Sequence, residues 1–275
     1  MELDDIYRSH PLSKRTILAR VAAQRVPPDR ITEWHLAVDP LTELTDQNHS
    51  GGVEATLELA SLAGIDRDST VVDIGAGLGG PARVLAEAYR CRVVGVEQDA
   101  GRCRDAVELT RIVALTDRVD VWKQDALASA PGVHHVDVLW GQATWVHFPD
   151  PDAFLERWLP ALRPGGRVAM ADSHLKREPA SAAEKSLVRQ LEDAWGAHLR
   201  PIDEWQRALE ARRCAVLHRQ ERTDETLLAF RRLMRVSASW PAGTVTDAER
   251  RSWELAMSAY ASELIGAYQL VARQT

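Results

Sequence analysis

The stretch VVDIGAGLGGPARVL, from Val71 to Leu85, decides the fold. Its apolar start, which ends in Asp73, is typical of a short buried strand. The glycines that follow allow a tight turn and let a ligand approach the backbone, because no Cβ stands in the way. A helical pattern begins directly after the turn, and the N-terminus of a helix offers free N–H donors to a carboxylate or a phosphate. The stretch therefore predicts a strand, a turn and a helix with a ligand site at the turn.

Strands and helices alternate on both sides of this unit. The apolar runs predict strands at 70–75, 92–99, 118–126, 136–140 and 167–172, with helices at 80–89, 101–116 and 152–166. Alternation at this spacing indicates βαβ units and a parallel sheet that is covered on both faces. Beyond Asp172 the pattern predicts helices at 182–199, 203–212 and 224–263, and strands at 214–220 and 267–273. The predicted fold class is α/β, with helical additions at the start and near the end of the chain.

Composition limits the kind of partner. The 275 residues are 45% hydrophobic and 27% charged, as in an ordinary soluble globular protein. The formal net charge of -6, without a long basic run, argues against nucleic acid, because phosphate binding needs a concentrated basic surface. The three cysteines are scattered, and no run approaches the ~18 apolar residues of a membrane span. We therefore expect a cytoplasmic protein that acts on a small molecule, without nucleic acid, membrane or metal.

Acidic residues at three strand ends narrow the choice of ligand. The turn glycines alone also satisfy the G-x-G-x-x-G pattern of dinucleotide binding. Asp73, however, would place a negative charge beside a positively charged ligand rather than a pyrophosphate. Glu97, after the second strand, can hold both hydroxyls of a ribose, and Asp125, after the third, can receive an adenine amino group. Because the carboxyl ends of parallel strands lie at one edge of the sheet, the three acids line one crevice.

Together with ALRPGGRVAMAD, residues 161–172, this pattern closely resembles the class I S-adenosylmethionine-dependent methyltransferases. The resemblance runs from about Val53 to Asp172. It implies a Rossmann-like, doubly wound sheet of seven strands, S-adenosyl-L-methionine as cofactor, and the glycine turn under the methionine part of that cofactor. It also implies Glu97 at the ribose and Asp125 with Ala126 at the adenine. The cofactor-binding residues expected here and from the motifs below are Gln47, His49, Asp73, Gly75, Ala76, Gly77, Gly79, Glu97, Gln98, Asp125, Ala126 and Gln142.

A second motif, DQNHSGG at 46–52, resembles the D-x-x-H-x-G stretch of small-molecule methyltransferases. That group includes sarcosine/dimethylglycine, tocopherol, prenyl-diphosphate and natural-product or alkaloid C-methylating enzymes. In such enzymes the segment closes over the cofactor, which makes Gln47, His49 and Ser50 candidates for its methionine end. A helix-capping loop is the alternative. We expect a helical lid region over 1–65 and a methyltransferase domain over 66–275, with cap segments at about 178–212 and 224–263.

The basic segment YRSHPLSKRTILARVAAQR, residues 7–25, has apolar residues at helical spacing and predicts an amphipathic helix. Its charged side is either a solvated face, a lid or a clamp for an anionic substrate. Tyr7 and His10 are candidate substrate contacts, and they reach the site only if this helix folds over it. A homo-oligomer formed through the same helix is a further expectation.

Methyl transfer is an in-line displacement, so the protein mainly has to hold the acceptor atom about 3–3.5 Å from the methyl carbon. A base is needed only where the acceptor atom carries a proton that must leave, and it should follow the fourth or fifth strand. His147 and His174 fall there, and histidine titrates near working pH. Either one could instead be a hydrogen-bonded structural residue. Gln142 would lie beside the cofactor, with Trp145 and His147 facing the acceptor.

The chain has nine tryptophans against three phenylalanines, and tryptophans at helical spacing are more often core residues than site residues. The alternative is an aromatic surface in the predicted cap, with Trp195 as a candidate acceptor contact. The leading hypothesis is transfer of a methyl group to a carbon, nitrogen or oxygen atom of a small acceptor. We expect a largely apolar natural product of secondary metabolism, aromatic or prenylated. Two alternatives stay open: a cyclase-like enzyme that keeps the cofactor without methylating, and an NAD-dependent oxidoreductase. The oxidoreductase requires Asp73 and Asp125 to be coincidental.

Overall fold

The computed structural model describes residues 10–39, 41–128 and 132–275. Before the first strand lie helices α1 (Lys14–Ala23), α2 (Glu33–Ala37) and α3 (Gly52–Ala63). The alternating region consists of β1 (Thr70–Ile74), α4 (Gly80–Tyr89), β2 (Arg92–Glu97), α5 (Ala100–Ile112), β3 (Val119–Lys123), β4 (Val136–Gln142), α6 (Pro151–Trp158) and β5 (Leu162–Leu175). The remaining elements are α7 (Ala182–Trp195), α8 (Ile202–Ala211), β6 (Cys214–Glu221), α9 (Thr223–Val236), α10 (Asp247–Ala261) and β7 (Ile265–Gln274).

The seven strands form one sheet in the order β3-β2-β1-β4-β5-β7-β6. The first five strands run parallel, and β7 runs antiparallel between β5 and β6. This confirms the predicted α/β fold with a doubly wound sheet of seven strands. The strand order reverses between β1 and β4, and in such sheets ligands bind in the crevice outside the carboxyl ends of the strands at that point.

Helices cover both faces of the sheet. On one face, α6 and α8 contribute Phe154, Trp158 and Trp205 to a buried cluster. On the other face, α3 and α4 pack Leu59 and Leu85 against the same strands. The central strands are therefore apolar throughout rather than alternating, as expected for parallel strands that are buried on both sides.

Two predicted helices differ most from the structure in their bounds. The helix predicted at 152–166 ends at Trp158, because Pro160 cannot donate a backbone hydrogen bond and its ring clashes with the preceding turn. The chain then enters β5, which is longer than predicted because β7 pairs with it from Arg167 to Leu175. The helical pattern at 224–263 divides into α9 and α10, and the interruption contains Pro241 and Gly243.

Helices α1, α7 and α10 pack in clusters near the carboxyl edge of the sheet. Helices α7 and α10 share a cluster that contains Leu191, Ala256 and Tyr260. Helix α1 buries Ile17 and Val21 in a cluster with side chains from α2, the glycine turn and α5. In the part of the chain that the structure describes, no helix is long and apolar enough to cross a membrane.

Candidate active site

A cavity of about 850 Å³, counted with its open mouth, lies at the carboxyl ends of β1, β2, β3 and β4. We call it the first cavity. It brings together most of the predicted cofactor residues, which come from separate parts of the chain and meet because parallel strands end at one edge. Those that line it are His49, Asp73, Gly75, Ala76, Gly77, Glu97, Gln98, Asp125, Ala126 and Gln142, and His147 also lines it.

The glycine turn is held between β2 and the loop after β4. The backbone N–H groups of Gly75 and Ala76 donate to the carbonyl of Val96 at 2.9 and 3.0 Å. Gly75 has a φ of +67°, and a Cβ at this position would lie 2.1 Å from Oγ1 of Thr144. Only glycine satisfies both the conformation and the contact, so the turn stays open toward the cavity.

Asp73 is a buried carboxyl group, and one of its oxygens has no hydrogen-bond partner among the described residues. Its side chain is 2% exposed, and within the described residues its Oδ2 has no hydrogen-bond partner. Burial, with a smaller contribution from Glu97, raises the pKa of Asp73 to about 8. A bound cation would offset this cost by stabilising the charged carboxylate. The residue therefore fits the positively charged methionine end of S-adenosylmethionine.

Glu97 and Asp125 are fixed by backbone donors. Glu97 accepts from the N–H groups of Gly77 at 2.8 Å and Asp99 at 2.7 Å, each on a different oxygen. Each oxygen keeps a further lone pair, so the carboxylate can accept two hydroxyl groups as a ribose requires. Asp125 is exposed and accepts from the N–H of Leu127 at 2.8 Å through Oδ1. This geometry fits the ribose and adenine roles implied for these residues.

A hydrogen-bonded wall bounds the first cavity at the end of β4. Thr56 donates to Oε1 of Gln142 at 2.9 Å, and Nε2 of Gln142 lies 3.3 Å from Nδ1 of His49. Nε2 of His49 lies 3.2 Å from the Thr56 hydroxyl. Burial lowers the pKa of His49 to about 4, so the ring is neutral at neutral pH. The DQNHSGG segment is thus joined to the fourth strand through side chains.

A buried ion cluster anchors the same segment to the glycine turn. Nε of Arg83, in α4, donates to Glu33 at 2.8 Å, and its Nη2 donates to Asp46. Sequence reasoning missed this cluster; the available signal was an arginine inside the apolar helical pattern of α4. Asp46 also accepts from Nε2 of Gln47 at 2.8 Å. Gln47 therefore lies behind His49 and does not line the cavity, contrary to the expected contact with the cofactor.

His147 is oriented by the backbone directly after α7. Its Nδ1 lies 3.0 Å from the carbonyl oxygen of Gly196. Since a carbonyl only accepts, Nδ1 carries the proton and Nε2 keeps its lone pair. Burial lowers the pKa of His147, so the ring is neutral at neutral pH. A neutral imidazole with a free lone pair, at the wall of the cavity, has the chemistry of a general base.

Asp172, near the end of β5, holds the loop that carries His147. Its Oδ2 accepts from the N–H of Val146 at 3.1 Å, and its Oδ1 accepts from the N–H of Ser173 at 2.7 Å. Burial raises the pKa of Asp172 to about 6, although the hydrogen bonds from these backbone N–H groups act in the opposite direction and lower it. Sequence reasoning missed this role, because the residue contacts a loop that lies 26 positions earlier in the chain.

The prediction that Trp145 faces the acceptor is wrong. Its side chain is fully buried, and Nε1 donates to the carbonyl of Gly141 at 2.8 Å. The ring makes edge contacts with Phe154 at 5.4 Å and Trp205 at 5.2 Å, centroid to centroid. The short 3-10 turn Trp145–His147 directs the tryptophan into the core and the histidine toward the cavity.

The prediction of His174 as a base in a loop after β5 is also wrong. Because β5 continues to Leu175, His174 lies within the strand, buried, with its ring 5.7 Å from that of Tyr268. It lines neither the first cavity nor the second one described below. Gly79 is part of the turn but lies behind it, where a Cβ would meet Arg83.

The tryptophans of the cap do not form an acceptor wall. Trp195, predicted to contact the acceptor, packs against the cluster shared by α7 and α10. Trp240 and Trp253 pack against each other at 6.2 Å in another cluster. None of these three lines either cavity, so they pack as core residues and the alternative of an aromatic surface at the acceptor is wrong for them. These tryptophans pack in the interior because each helix of the cap buries its apolar face.

Two predicted substrate contacts, Tyr7 and His10, come from the N-terminal segment. Tyr7 lies outside the described residues. His10 lines neither cavity: its Nδ1 accepts from the N–H of Leu12 at 3.1 Å, and its Nε2 lies 3.8 Å from Glu249. Burial, with the nearby charge of Arg102, lowers the pKa of His10 to about 3. Arg102, whose charge acts on His10, lines the first cavity, whereas His10 does not.

The fold and the acid-lined cavity at its topological switch point define a class I methyltransferase domain. Residues 72–170 match the family model described as a methyltransferase domain. The matched range runs from β1 into β5 and contains the glycine turn and all three acids. The class predicted from the sequence is thereby confirmed, and the cofactor of that class is S-adenosylmethionine.

Individual relatives cover the chain to different extents. The chain is 30% identical over 171 residues to 2-methyl-6-phytyl-1,4-hydroquinone methyltransferase of Synechocystis sp., an alignment that covers 61% of this chain and 52% of that protein. The chain thus spans about half the length of this relative. Among solved structures it is similar to phosphoethanolamine N-methyltransferase 2 of Haemonchus contortus, at 18% identity and a TM-score of 0.74, covering 96% of this chain and 60% of that one. It is also similar to the 4+2 cyclase SpnF, at 20% identity and a TM-score of 0.69, covering 90% and 97%.

Proposed function

We propose that this protein transfers a methyl group from S-adenosylmethionine to a carbon, nitrogen or oxygen atom of a small-molecule acceptor. One observation carries the proposal: the same cavity is lined by three acids that suit the cofactor and by a neutral histidine with an unprotonated ring nitrogen. A binding protein for the cofactor would need the acids alone. The histidine at the same cavity supports a reaction in which a proton leaves the acceptor.

The residues that would hold the cofactor follow from their partners. Asp73 would bind its cationic methionine end, Glu97 the ribose and Asp125 the adenine. When bound, the cofactor supplies an electrophilic methyl group on a sulfonium. The wall of His49 and Gln142 limits the space on the side of β4, so the acceptor has to approach from a defined direction.

His147 would take the proton that the acceptor loses. The Gly196 carbonyl fixes the tautomer in which Nε2 is unprotonated, and burial keeps the ring neutral at neutral pH. Asp172 supports this role by holding the loop on which His147 lies. An acceptor atom that carries no proton would not need the base.

The kind of acceptor is proposed from the relatives. One relative is named for a phytyl hydroquinone and another, a tocopherol O-methyltransferase of Arabidopsis thaliana, for a tocopherol, which supports an aromatic acceptor with an apolar chain. We propose a prenylated or aromatic product of secondary metabolism and action in the cytoplasm. The lid role of residues 1–65, the assignment of 66–275 as one domain with a cap, and a homo-oligomer through α1 remain predictions.

The test uses labelled cofactor and a small-molecule extract of the source organism. We expect a labelled product, and we expect His147→Ala to lower kcat by about 100-fold or more while the Kd for the cofactor, measured by calorimetry, stays unchanged. His198→Ala is the matched control, because His198 is an exposed neighbour whose side chain lines neither cavity. Normal turnover in His147→Ala would remove the proposed base.

A cyclase-like function is the second candidate, and the likeness to SpnF over nearly the whole of both chains favours keeping it. Both functions need the cofactor cavity, so cofactor binding does not separate them. Tight binding of the cofactor without a labelled product in any fraction would support the cyclase-like function and contradict methyl transfer.

A further inference from the structure

A second cavity, of about 580 Å³, lies on the other side of the wall formed by His49 and Gln142. These two residues and Ala143 line both cavities. The second cavity is at the same edge of the sheet, because its floor combines the end of β5 with the start of the antiparallel β7. A molecule in it would therefore lie next to the cofactor site but outside it.

A group of polar side chains lines one part of the second cavity, whose remaining lining is apolar. Gln269, on β7, is 3% exposed, and within the described residues its Oε1 has no hydrogen-bond partner. The Ser173 hydroxyl lies 2.6 Å from that of Tyr260, and Asp172 lies beside them. A buried amide oxygen without a partner costs free energy unless a ligand supplies a donor. Gln269, Ser173 and Tyr260 therefore form a site for a hydrogen-bonding group within the cavity.

The charges in the second cavity do not suit a phosphate. Arg222 is the only lysine or arginine among its described lining residues. Its guanidinium already faces both oxygens of Glu58, at 3.0 and 3.2 Å, and Glu225 at 3.6 Å. Asp172 and Glu225 add negative charge to the lining. A phosphorylated acceptor would meet carboxylates here without an uncommitted cation.

We infer that the second cavity binds the polar end of the acceptor, and that this end is an unphosphorylated group with O–H or N–H donors, such as a phenol, an alcohol or an amine. The inference rests on the proposed function and specifies its substrate class. Gln269, Asp172 and the Ser173–Tyr260 pair are the partners of those donors.

The experiment treats the small-molecule extract with alkaline phosphatase before adding labelled cofactor, and then passes the product over an anion exchanger. We expect the same amount of labelled product with and without phosphatase, and no retention of that product. Loss of the product after phosphatase treatment, or its retention on the exchanger, overturns the inference and leaves methyl transfer intact. Absence of any labelled product, with normal cofactor binding, contradicts the proposed function and removes the inference with it.

Variants locate the site. Gln269→Leu should raise KM for the purified acceptor fraction roughly tenfold and leave the Kd for S-adenosylhomocysteine unchanged, because it removes the oxygen that accepts from the acceptor molecule. The Tm should stay the same or rise, because the oxygen that is lost is buried without a partner among the described residues. Gln220→Leu is the matched control: Gln220 is the exposed cross-strand partner of Gln269 on β6. Ser173→Ala provides a second variant if Gln269→Leu does not fold. Equal KM values in wild type, Gln220→Leu and the cavity variants would refute the assignment.

Discussion

Replacing Asp73 with asparagine should stabilise the folded protein without its cofactor and weaken the binding of S-adenosylmethionine. The pKa of Asp73 rises from 3.8 to about 8 on folding, and one pKa unit corresponds to about 1.4 kcal/mol. At pH 7 the unfolded chain carries an ionised Asp73, whereas the folded chain keeps the proton. The resulting cost to the wild type is about 4 kcal/mol, and asparagine, of nearly the same shape, avoids it.

The sign of the pH dependence follows from the same shift. Between about pH 4 and pH 8 the folded state binds one proton more than the unfolded state, so the contribution of Asp73 to the free energy of unfolding falls as the pH rises. Above the folded pKa both states are ionised and the cost is constant. The difference in stability between Asp73→Asn and wild type should therefore widen by about 2 kcal/mol from pH 6 to pH 8. Other titrating groups are common to both proteins and largely cancel in the difference.

Urea unfolding of both proteins without cofactor, followed by circular dichroism from pH 6 to pH 8, measures this difference. Calorimetry then measures the affinity for S-adenosylmethionine, which should rise with pH in the wild type, by up to about tenfold per unit below pH 8. The affinity should be weak and independent of pH in Asp73→Asn. A constant stability difference, or equal affinities of the two proteins, would refute the assignment of Asp73 as a buried carboxyl group that faces the cationic end of the cofactor.

Two further substitutions test the glycine turn and its anchor. Gly75→Ala should lower cofactor affinity by calorimetry at least tenfold, since its Cβ would meet a neighbouring side-chain oxygen at 2.1 Å. Gly243→Ala, with a φ of +79° and open space around it, should leave that affinity unchanged. Arg83→Met should lower the free energy of unfolding by about 3–5 kcal/mol in urea titrations, because it leaves two buried carboxylates uncompensated. The exposed pair of Arg163 should contribute about 1 kcal/mol or less, so equal losses in Arg83→Met and Arg163→Met would contradict the structural role of the buried cluster.

Site residues were predictable from the sequence where their position is set by the strand that carries or directly precedes them. Three acids lie at or directly after the carboxyl ends of β1, β2 and β3, and all three line the first cavity: Asp73, Glu97 and Asp125. Their meeting required only that parallel strands end at one edge of the sheet. His147 was predicted in the same way, from its place after β4.

The incorrect predictions concern residues whose direction depends on distant packing. Trp145 and His147 are two positions apart on one short turn, and sequence alone assigned both to the acceptor. In the structure Phe154 and Trp205 accept the tryptophan ring into the core, and only the histidine lines the cavity. His174 was assigned to a loop because the pairing that extends β5 comes from β7, about 90 residues later.

The sequence by itself determined the class of fold, the position of the glycine turn and the acids around the first cavity, because these depend on local conformation and on strand direction. Tertiary structure alone decided which side chains face a cavity and which fill the core. It also created the buried cluster of Arg83 and the second cavity, whose lining includes residues of α3, β5, α10 and β7. Those arrangements depend on contacts between segments far apart in the chain, and no local pattern of residues encodes such contacts.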